Sequence, residues 1–305
     1  VLKSREQDRH WITFGYNSEL QLRRIGNEAG DNYFFELDGL GQVVTETGFD
    51  GLQREYERDG AGRVTRVNRP GGKWTEYLYD GLDNILKEEQ YDGEVSLYTY
   101  DKDGMLVKAK NRENLLEFTR DRKTGQIIEE KQGEYTVSRT YDGEGNCTRI
   151  TSSLGADIRH TYDREGNLQT MQAGKSWQAS WVRDNTGLEV QRTFSGGVTV
   201  STERDRFGRE VRKSVRSGGI ERGAYRYEWG IAGRLLSKEN ELTGTVMRYD
   251  YDRFDFLIRQ ETTQGSETDV IYRVPDFVGN LFGTPDRKDR KYGAGGKLLE
   301  DPDCF

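Results

Sequence analysis

The stretch Tyr79-Asp80-Gly81-Leu82-Asp83-Asn84-Ile85 decides the fold, because it recurs along the chain. Clear copies begin at Tyr100, Tyr141 and Tyr162, each with the Tyr-Asp pair and a glycine within the next four residues. More degenerate copies place a polar residue at the same point of the pattern, at Asn17, Asp38, Asp59, Asp121, Asp184, Asp205, Glu228, Asp252 and Asp276. Between positions 17 and 276 the steps are 21, 21, 21, 21, 20, 21, 21, 21, 21, 23, 24 and 24 residues. A fixed period of this length indicates a repeat architecture.

Each repeat contains two turn signals. The aspartate can accept hydrogen bonds from its own backbone, and the glycine that follows tolerates a positive φ. A second signal, Asp-Gly or Gly-Gly, comes about nine residues before the next aspartate, as at Asp50-Gly51 and Gly71-Gly72, and these dipeptides are typical of hairpins. Each repeat therefore predicts a strand, an Asp turn, a strand and a Gly turn. The residues predicted to build the repeat turns are Tyr79, Asp80, Tyr100, Asp101, Gly104, Tyr141, Asp142, Gly145, Tyr162, Asp163, Gly166, Asp184, Gly187, Asp205, Gly208, Tyr251 and Asp252.

The composition predicts an ordered β protein with little conventional core. Hydrophobic residues make up 33% of the 305, charged residues 32%, and the mean hydropathy is -0.92, whereas aromatic residues reach 11% with only 4 prolines. Roughly 24 strands at ~4.8 Å each would make a sheet about 115 Å wide, and open sheets of that size curl or close. The predicted fold is all-β, with antiparallel β-hairpins in a spiralling sheet that forms part of a hollow shell.

A β-propeller is the alternative fold, because two repeats supply 42 residues and four strands, the content of one blade. Consecutive copies look equivalent, however, and this favours the shell. Residues 11–272 are predicted to hold the regular repeats and residues 273–305 more divergent C-terminal repeats, so that positions 1–305 form one repeat segment. The chain begins with Val1 and ends within the pattern, and we expect it to be an excerpt of a longer polypeptide.

Candidate chemical sites are few, and we predict no catalytic residue, no cofactor site and no metal site. The repeated aspartates are spaced too widely for a calcium loop, which gathers several oxygen ligands within a few residues, and a structural turn role is expected instead. Cys147 and Cys304 lie 157 residues apart and fit no metal spacing; a disulfide between them is the alternative. Neighbouring carboxylates such as Glu88-Glu89 would point to opposite faces of a strand, which argues against paired acid–base catalysis.

Charge and hydropathy narrow the classes of partner. The net charge is -7 and no basic block is present, so nucleic-acid binding is not expected. No run of 18 apolar residues occurs, so no membrane-spanning helix is expected.

The motif Tyr-Asp-x-x-Gly-Asn-Leu, as in residues 162–168, resembles the YD repeat when it recurs every 21 residues, and the segment from Asn68 to Trp74 resembles Rhs-type repeats in particular. The family includes bacterial Rhs polymorphic toxins, the C components of insecticidal toxin complexes and the animal teneurins. The resemblance implies a β-shell wound from a spiralling strip of hairpins, which in bacterial members encloses a toxic C-terminal domain until delivery. Bacterial members also carry a self-cleavage region, but Asp301-Pro302 here lacks the Gly-Leu that would follow.

The resulting expectation is a non-catalytic shell segment of an Rhs-type toxin, with the C-terminal toxin cargo of the same polypeptide as partner. The resemblance further implies secretion or delivery from a bacterial cell to the extracellular space or cell surface, type VI secretion and interbacterial competition, and contact with secretion machinery or a cell-surface receptor. The alternative function is a cell-surface module that binds carbohydrate or a receptor through exposed Tyr, Trp and Arg side chains.

Overall fold

The computed structural model describes residues 2–7 and 10–302, with side chains from residue 11 onward. Cys304, and with it the alternative disulfide to Cys147, lies outside the described residues. The chain divides into two compact units, Val1–Leu115 with Tyr272–Phe305, and Leu116–Ile271.

The first unit is a succession of antiparallel hairpins. Its strands are β1 (Leu2–Gln7), β2 (His10–Tyr16), β3 (Leu22–Gly26), β4 (Asn32–Leu37), β5 (Val43–Thr47), β6 (Gln53–Arg58), β7 (Val64–Arg69), β8 (Lys73–Tyr79), β9 (Ile85–Gln90), β10 (Val95–Tyr100) and β11 (Leu106–Lys110). A 3₁₀ turn, Pro70–Gly72, joins β7 to β8. Each strand from β1 to β10 pairs with the next one in the sequence, so that β11 is the last strand of this series.

The second unit repeats this arrangement. Its strands are β12 (Leu115–Arg120), β13 (Ile127–Gln132), β14 (Tyr135–Tyr141), β15 (Cys147–Ser152), β16 (Asp157–Tyr162), β17 (Leu168–Ala173), β18 (Trp177–Arg183), β19 (Glu189–Phe194), β20 (Val198–Arg204), β21 (Glu210–Ser217), β22 (Ile220–Trp229), β23 (Leu235–Asn240), β24 (Thr245–Tyr251), β25 (Leu257–Gln264) and β26 (Glu267–Tyr272). Strands β12 to β25 pair antiparallel in unbroken sequence. The predicted all-β fold of antiparallel hairpins is confirmed. The propeller alternative is wrong, because its blades would interrupt the pairing after every fourth strand.

A β-bulge lies beside the Asp turn that joins β16 to β17 and beside the one that joins β8 to β9. It sets the direction of the last residue of the strand that enters the turn. In the pair β16–β17, Thr161 lies opposite Thr170, but the next residue, Tyr162, lies opposite Leu168. The same shift occurs at Tyr79 in the pair β8–β9. A bulge adds twist and changes the direction of a side chain. The tyrosine side chain therefore does not follow the regular up-and-down alternation of the strand.

Stabilisation is spread over cross-strand pairs rather than held in a central core. Among the described residues the buried apolar side chains are Val67, Ala179, Ala224 and Phe282. On one face of the pair β7–β8, Val67 lies opposite the buried Thr75; on the other face, Arg66 forms an ion pair with Glu76. Such pairs each contribute a few tenths to about 1 kcal/mol, so the fold depends on their repetition.

The C-terminal residues of the first unit form two short hairpins. Their strands are β27 (Val274–Pro275) with β28 (Leu281–Phe282), and β29 (Lys291–Tyr292) with β30 (Leu298–Glu300); a 3₁₀ turn covers Ala294–Gly296. Gly295 has φ +67°, and a Cβ there would lie 2.8 Å from the backbone nitrogen of Asp50. The C-terminal segment therefore packs closely on the turn between β5 and β6. None of the described helical turns has the length and apolarity needed to cross a membrane.

Candidate functional site

The repeat turn is built around a carboxylate that binds its own backbone. At Asp163, Oδ1 accepts hydrogen bonds from the backbone nitrogens of Glu165 at 3.1 Å and Asn167 at 2.8 Å, and Oδ2 accepts one from Asn167 Nδ2 at 3.1 Å. The backbone closes the turn, since Gly166 N donates to Asp163 O at 3.2 Å. Gly166 has φ 81°, a conformation that an L-residue adopts only at a cost.

The other predicted turn aspartates are held in the same way. A carboxylate oxygen accepts from the backbone nitrogens two and four residues on at Asp80, Asp101, Asp142, Asp184, Asp205 and Asp252. Positive φ is found at Gly104, Gly145, Gly187 and Gly208, and in the copy without glycine at Asp255. These aspartates thus direct their oxygen atoms at their own turns.

Hydrogen bonding also stabilises the charged form of these carboxylates. The Asn84 side chain lowers the pKa of Asp80, and the Asn146 side chain lowers the pKa of Asp142. At Asp163 the first cause of the lowered pKa is the backbone hydrogen bond from Asn167. The turn is therefore at its most stable with an ionised aspartate.

The tyrosine before the aspartate connects each turn to the preceding repeat. Its hydroxyl donates to the backbone carbonyl at the start of the previous strand, a residue 14 or 15 positions back. The bonds run from Tyr79 to Val64 at 2.8 Å, from Tyr100 to Ile85 at 3.0 Å, from Tyr141 to Ile127 at 2.9 Å and from Tyr162 to Cys147 at 2.8 Å. The sequence predicted these tyrosines as turn residues, but it did not predict the bond to the preceding repeat. At Tyr251 the Arg234 guanidinium lies 5.9 Å from the ring centre, a contact that Arg63 also makes with Tyr79 at 4.9 Å.

Arginine takes the place of tyrosine in several repeats, which sequence reasoning missed. Arg58 donates to Val43 O at 3.1 Å, Arg183 to Leu168 O at 3.4 Å and Arg204 to Glu189 O at 3.2 Å, and each carbonyl lies 15 residues back. The same guanidinium also donates to a carbonyl four residues ahead in its own turn, at 3.1, 3.3 and 2.9 Å respectively. The signal was present in the sequence as Arg-Asp in place of Tyr-Asp at the same 21-residue spacing.

One degenerate copy was assigned to the wrong residue. Glu228, predicted at a turn, lies in strand β22, and Gly230 occupies the turn position, where its nitrogen donates to Arg234 O at 2.8 Å. Trp229 then corresponds to the tyrosine, and its indole nitrogen donates to Glu210 O at 2.7 Å. The longer strand β22 accounts for the irregular spacing around this copy.

A second set of bonds runs forward from several turns to the next one along the chain. Arg63 NH1 donates to Asp80 O at 2.8 Å in the first unit, and Gln126 Nε2 donates to Gly145 O at 2.9 Å in the second. In these turns the residue whose carbonyl closes the turn bonds forward, while the tyrosine of the next turn bonds backward. The turns at Asp59 and Asp80, and those at Asp121 and Asp142, are therefore tied from both sides. We call this series of bonds the turn ladder.

Away from the turns, Glu46 on β5 is the centre of a cluster of hydrogen bonds with residues of β6. Tyr56 OH donates to Glu46 Oε1 at 2.7 Å, and Arg54 NH1 donates to the same oxygen at 3.0 Å. Burial raises the pKa of Tyr56 to about 12, and the hydrogen bond to Glu46 acts in the same direction. Burial acts to raise the pKa of Glu46, but hydrogen bonds from Tyr56, Tyr33 and Arg54 prevail and lower it. Tyr56 therefore stays protonated and Glu46 stays ionised, and this hydrogen-bonded pair has a structural role.

The first unit contains a pocket of about 890 Å³. One wall consists of the turn from Asn27 to Asp31 and Phe49; the other consists of the turn from Asp276 to Asn280 together with Phe282 and the segment 292–296. Across residues 11–302, no three His, Cys, Asp or Glu side chains are grouped so that they could hold a metal ion. The pocket is a candidate binding site.

Comparison with known proteins agrees with the repeat pattern. The family model described as RHS Repeat matches residues 141–175, which contain the turns at Asp142 and Asp163. No curated protein sequence matches the chain.

Solved structures with the same fold come from toxin complexes. The Tc holotoxin pore of Photorhabdus luminescens, with a substitution in TccC3, superposes with a TM-score of 0.73 at 14% identity, over 89% of this chain and 17% of that chain. The TcdB2–TccC3 crystal structure gives 0.74 at 14% identity, over 92% and 18%. The same complex without its hypervariable C-terminal region gives 0.68 at 12% identity, over 97% and 21%. The chain thus spans about a fifth of the length of these chains, and the likeness shows a common fold.

The segment matched by the family model is one copy of a turn that recurs on both sides of it. The same aspartate geometry appears at Asp80 and Asp205, far outside the matched residues. With the tyrosine and arginine bonds that link successive copies, the recurring turn supports an Rhs/YD-repeat protein, in which residues 141–175 match the family model itself.

Proposed function

We propose that the chain is a non-catalytic structural segment of a toxin shell, which encapsulates a C-terminal toxin domain of the same polypeptide before delivery. The turn ladder carries this proposal. A wall must resist opening along its whole length, and here side chains of successive turns bond to backbone carbonyls of the preceding repeat, as at Tyr141 and Tyr162. The common fold with chains of the TcdB2–TccC3 complex supports the same function.

The non-catalytic role rests on how the acidic groups are used. The repeated aspartates accept hydrogen bonds from their own turns, as at Asp163, and Glu46 accepts from Tyr56 and Arg54. A general acid or base needs a carboxyl group that can exchange its proton with a substrate. These carboxylates are instead held ionised by the fold, which suits a structural function.

Partners and location follow from the same proposal. A segment of a toxin shell acts outside the cell that makes it, so we place the protein among secreted or delivered bacterial proteins, with the C-terminal toxin cargo as its first partner. The structural neighbours favour delivery as part of a toxin complex. Type VI secretion in competition between bacteria is the other route, expected from the family resemblance.

Limited proteolysis of the full-length polypeptide that carries these repeats tests encapsulation. We expect the C-terminal region to resist trypsin in the wild type and to become sensitive when Tyr141 and Tyr162 are both replaced by alanine, since two consecutive links of the ladder are lost. The control is Arg164→Ala, which alters an exposed turn residue outside the ladder. A C-terminal region that is cleaved as fast in the wild type as in isolation would contradict the proposal.

Exposed apolar side chains at turn tips favour a second candidate function, binding of a cell-surface receptor or carbohydrate. Leu40 is 84% exposed, Leu82 is 71% exposed and Phe207 is 66% exposed, and exposed apolar groups often mark interaction sites. A cell-binding assay with Leu40→Ser and Phe207→Ser tests this candidate. Unchanged binding in both variants would leave encapsulation as the function.

A further inference from the structure

The pocket of the first unit is bounded by two walls that touch each other. At the contact, the missing side chain of Gly295 lets its backbone approach Asp50, where a Cβ would come within 2.8 Å of a backbone nitrogen. The volume of about 890 Å³ falls in the range of small-molecule pockets, roughly 300–1,000 Å³. The contact fixes the separation of the walls, so that the cavity is a formed feature of the unit.

Aromatic rings on both walls are held in place by other rings. Phe282 and Tyr292 meet edge to face with centroids 5.3 Å apart on the C-terminal wall. Phe49, on the opposite wall, meets Tyr33 edge to face at 5.5 Å. Tyr292 is further fixed by the hydrogen bond from its hydroxyl to Leu281 O. The pocket thus offers pre-oriented π surfaces, which attract cations as well as apolar groups.

The charge of the lining is of one sign. Glu28, Asp31 and Asp276 line the pocket, and no Lys, Arg or His is found among its lining residues. The Asp276 carboxylate accepts hydrogen bonds from the backbone nitrogens of Val278 and Asn280 and from Asn280 Nδ2. Neither Glu28 nor Asp31 has an ion-pair partner among the described residues. A cleft lined by one sign of charge concentrates ligands of the opposite sign.

We propose that this pocket binds an organic cation, an ammonium or guanidinium group carried on an apolar stem. The stem would pack against Phe49 and Tyr292, and the cationic head would lie near Glu28 and Asp31. A lysine or arginine side chain of a peptide and a free polyamine both have this chemistry. The proposal does not depend on encapsulation, because it rests on the lining of this pocket and not on the turn ladder.

Calorimetric titration distinguishes these sources and tests the proposal. The probes are the blocked tripeptide Gly-Arg-Gly, the same peptide with neutral citrulline in place of arginine, and spermidine. We expect the arginine peptide or spermidine to bind, the citrulline peptide to bind much more weakly, and the affinity to fall with added salt. Tighter binding of the peptide would identify a protein segment as the source, and tighter binding of spermidine a free amine.

Variants locate the binding in the pocket. Glu28→Gln removes one lining charge and is expected to weaken binding about threefold to fivefold, whereas Glu19→Gln, which removes a charge from an exposed turn of the same unit, leaves it unchanged. Gly295→Ala disturbs the contact between the walls and is expected to reduce binding without removing any lining charge. Absence of binding by both cations, equal binding of the citrulline peptide, or equal losses in the two glutamate variants would overturn the proposal.

Discussion

Replacing Tyr79 by phenylalanine removes one link of the turn ladder while keeping the ring. The lost bond joins the Tyr79 hydroxyl to Val64 O at 2.8 Å. A hydrogen bond of this kind contributes about 1 kcal/mol net, so we expect local stability around the turn to fall by about that amount. A loss of 1 kcal/mol corresponds to roughly fivefold faster hydrogen exchange of amides that exchange by local opening.

The equivalent replacement at Tyr162 should cost less, and the structure gives the reason. Cys147 O accepts the Tyr162 hydroxyl at 2.8 Å and also His160 Nδ1 at 3.0 Å. After Tyr162→Phe the carbonyl keeps the histidine donor, so the expected loss is below about 0.5 kcal/mol. In the background of His160→Phe, the same Tyr162→Phe change should cost about 1 kcal/mol, because no side-chain donor remains.

Hydrogen exchange measured by mass spectrometry on turn peptides reports these local effects, with urea midpoints as a global check. Local measurement matters because a repeat array need not unfold in two states. The four combinations of the His160 and Tyr162 changes form a double-mutant cycle, which isolates their coupling. The reasoning is refuted if exchange around Asp80 is unchanged in Tyr79→Phe, or if the cycle shows additive losses at Tyr162 and His160.

Three further outcomes can be checked on the same protein. Gly295→Ala should release the C-terminal segment to proteolysis, whereas Gly104→Ala, with positive φ but open space, should cost only about 1–2 kcal/mol from backbone strain. The folded-state pKa of Tyr56 is raised to about 12, so its contribution to the free energy of unfolding is complete below pH 10 and is lost as the pH rises through about 12. Tyr56→Phe should therefore flatten the loss of stability in an alkaline unfolding series monitored by circular dichroism. Asp163→Asn should speed local hydrogen exchange, because the new amide group would face the side-chain amide of Asn167. Adding Asn167→Asp should restore the slower exchange, since this reversed order of Asn and Asp already occurs at Asn27 and Asp31.

The sequence was sufficient for the fold because the period and the turn residues are local signals. Asp142, Asp163 and Gly166 could be placed in turns from their residue types alone, since a carboxylate that binds nitrogens two and four residues on needs no distant partner. Strand pairing followed, because short turns join successive strands as hairpins. The prediction of a turn at Glu228 was wrong for the same reason. The turn begins at Gly230, where no aspartate marks it, and the repeat spacing alone placed it two residues too early.

The parts of the site that could not be predicted depend on the bulge and on distant backbone. The bonds of Tyr162 and Arg183 reach carbonyls 15 residues away, in a strand whose register is fixed only when the sheet has formed. The pocket was missed because the segment after residue 272 departs from the repeat. Its packing against Asp50 depends on a close approach at Gly295, which residue types do not reveal.

The turn ladder also explains how the same fold persists at 14% sequence identity to the TcdB2–TccC3 chain. The acceptor of each link is a backbone carbonyl, which any residue supplies, and the donor can be the phenol of Tyr79, the guanidinium of Arg204 or the indole of Trp229. Residues between the turns need only satisfy the alternation of a strand. A mutation from Tyr-Asp to Arg-Asp therefore preserves the link, whereas a change to an apolar residue removes it. Substitutions among these donors change the residue and keep the link, which is compatible with a common fold at low sequence identity.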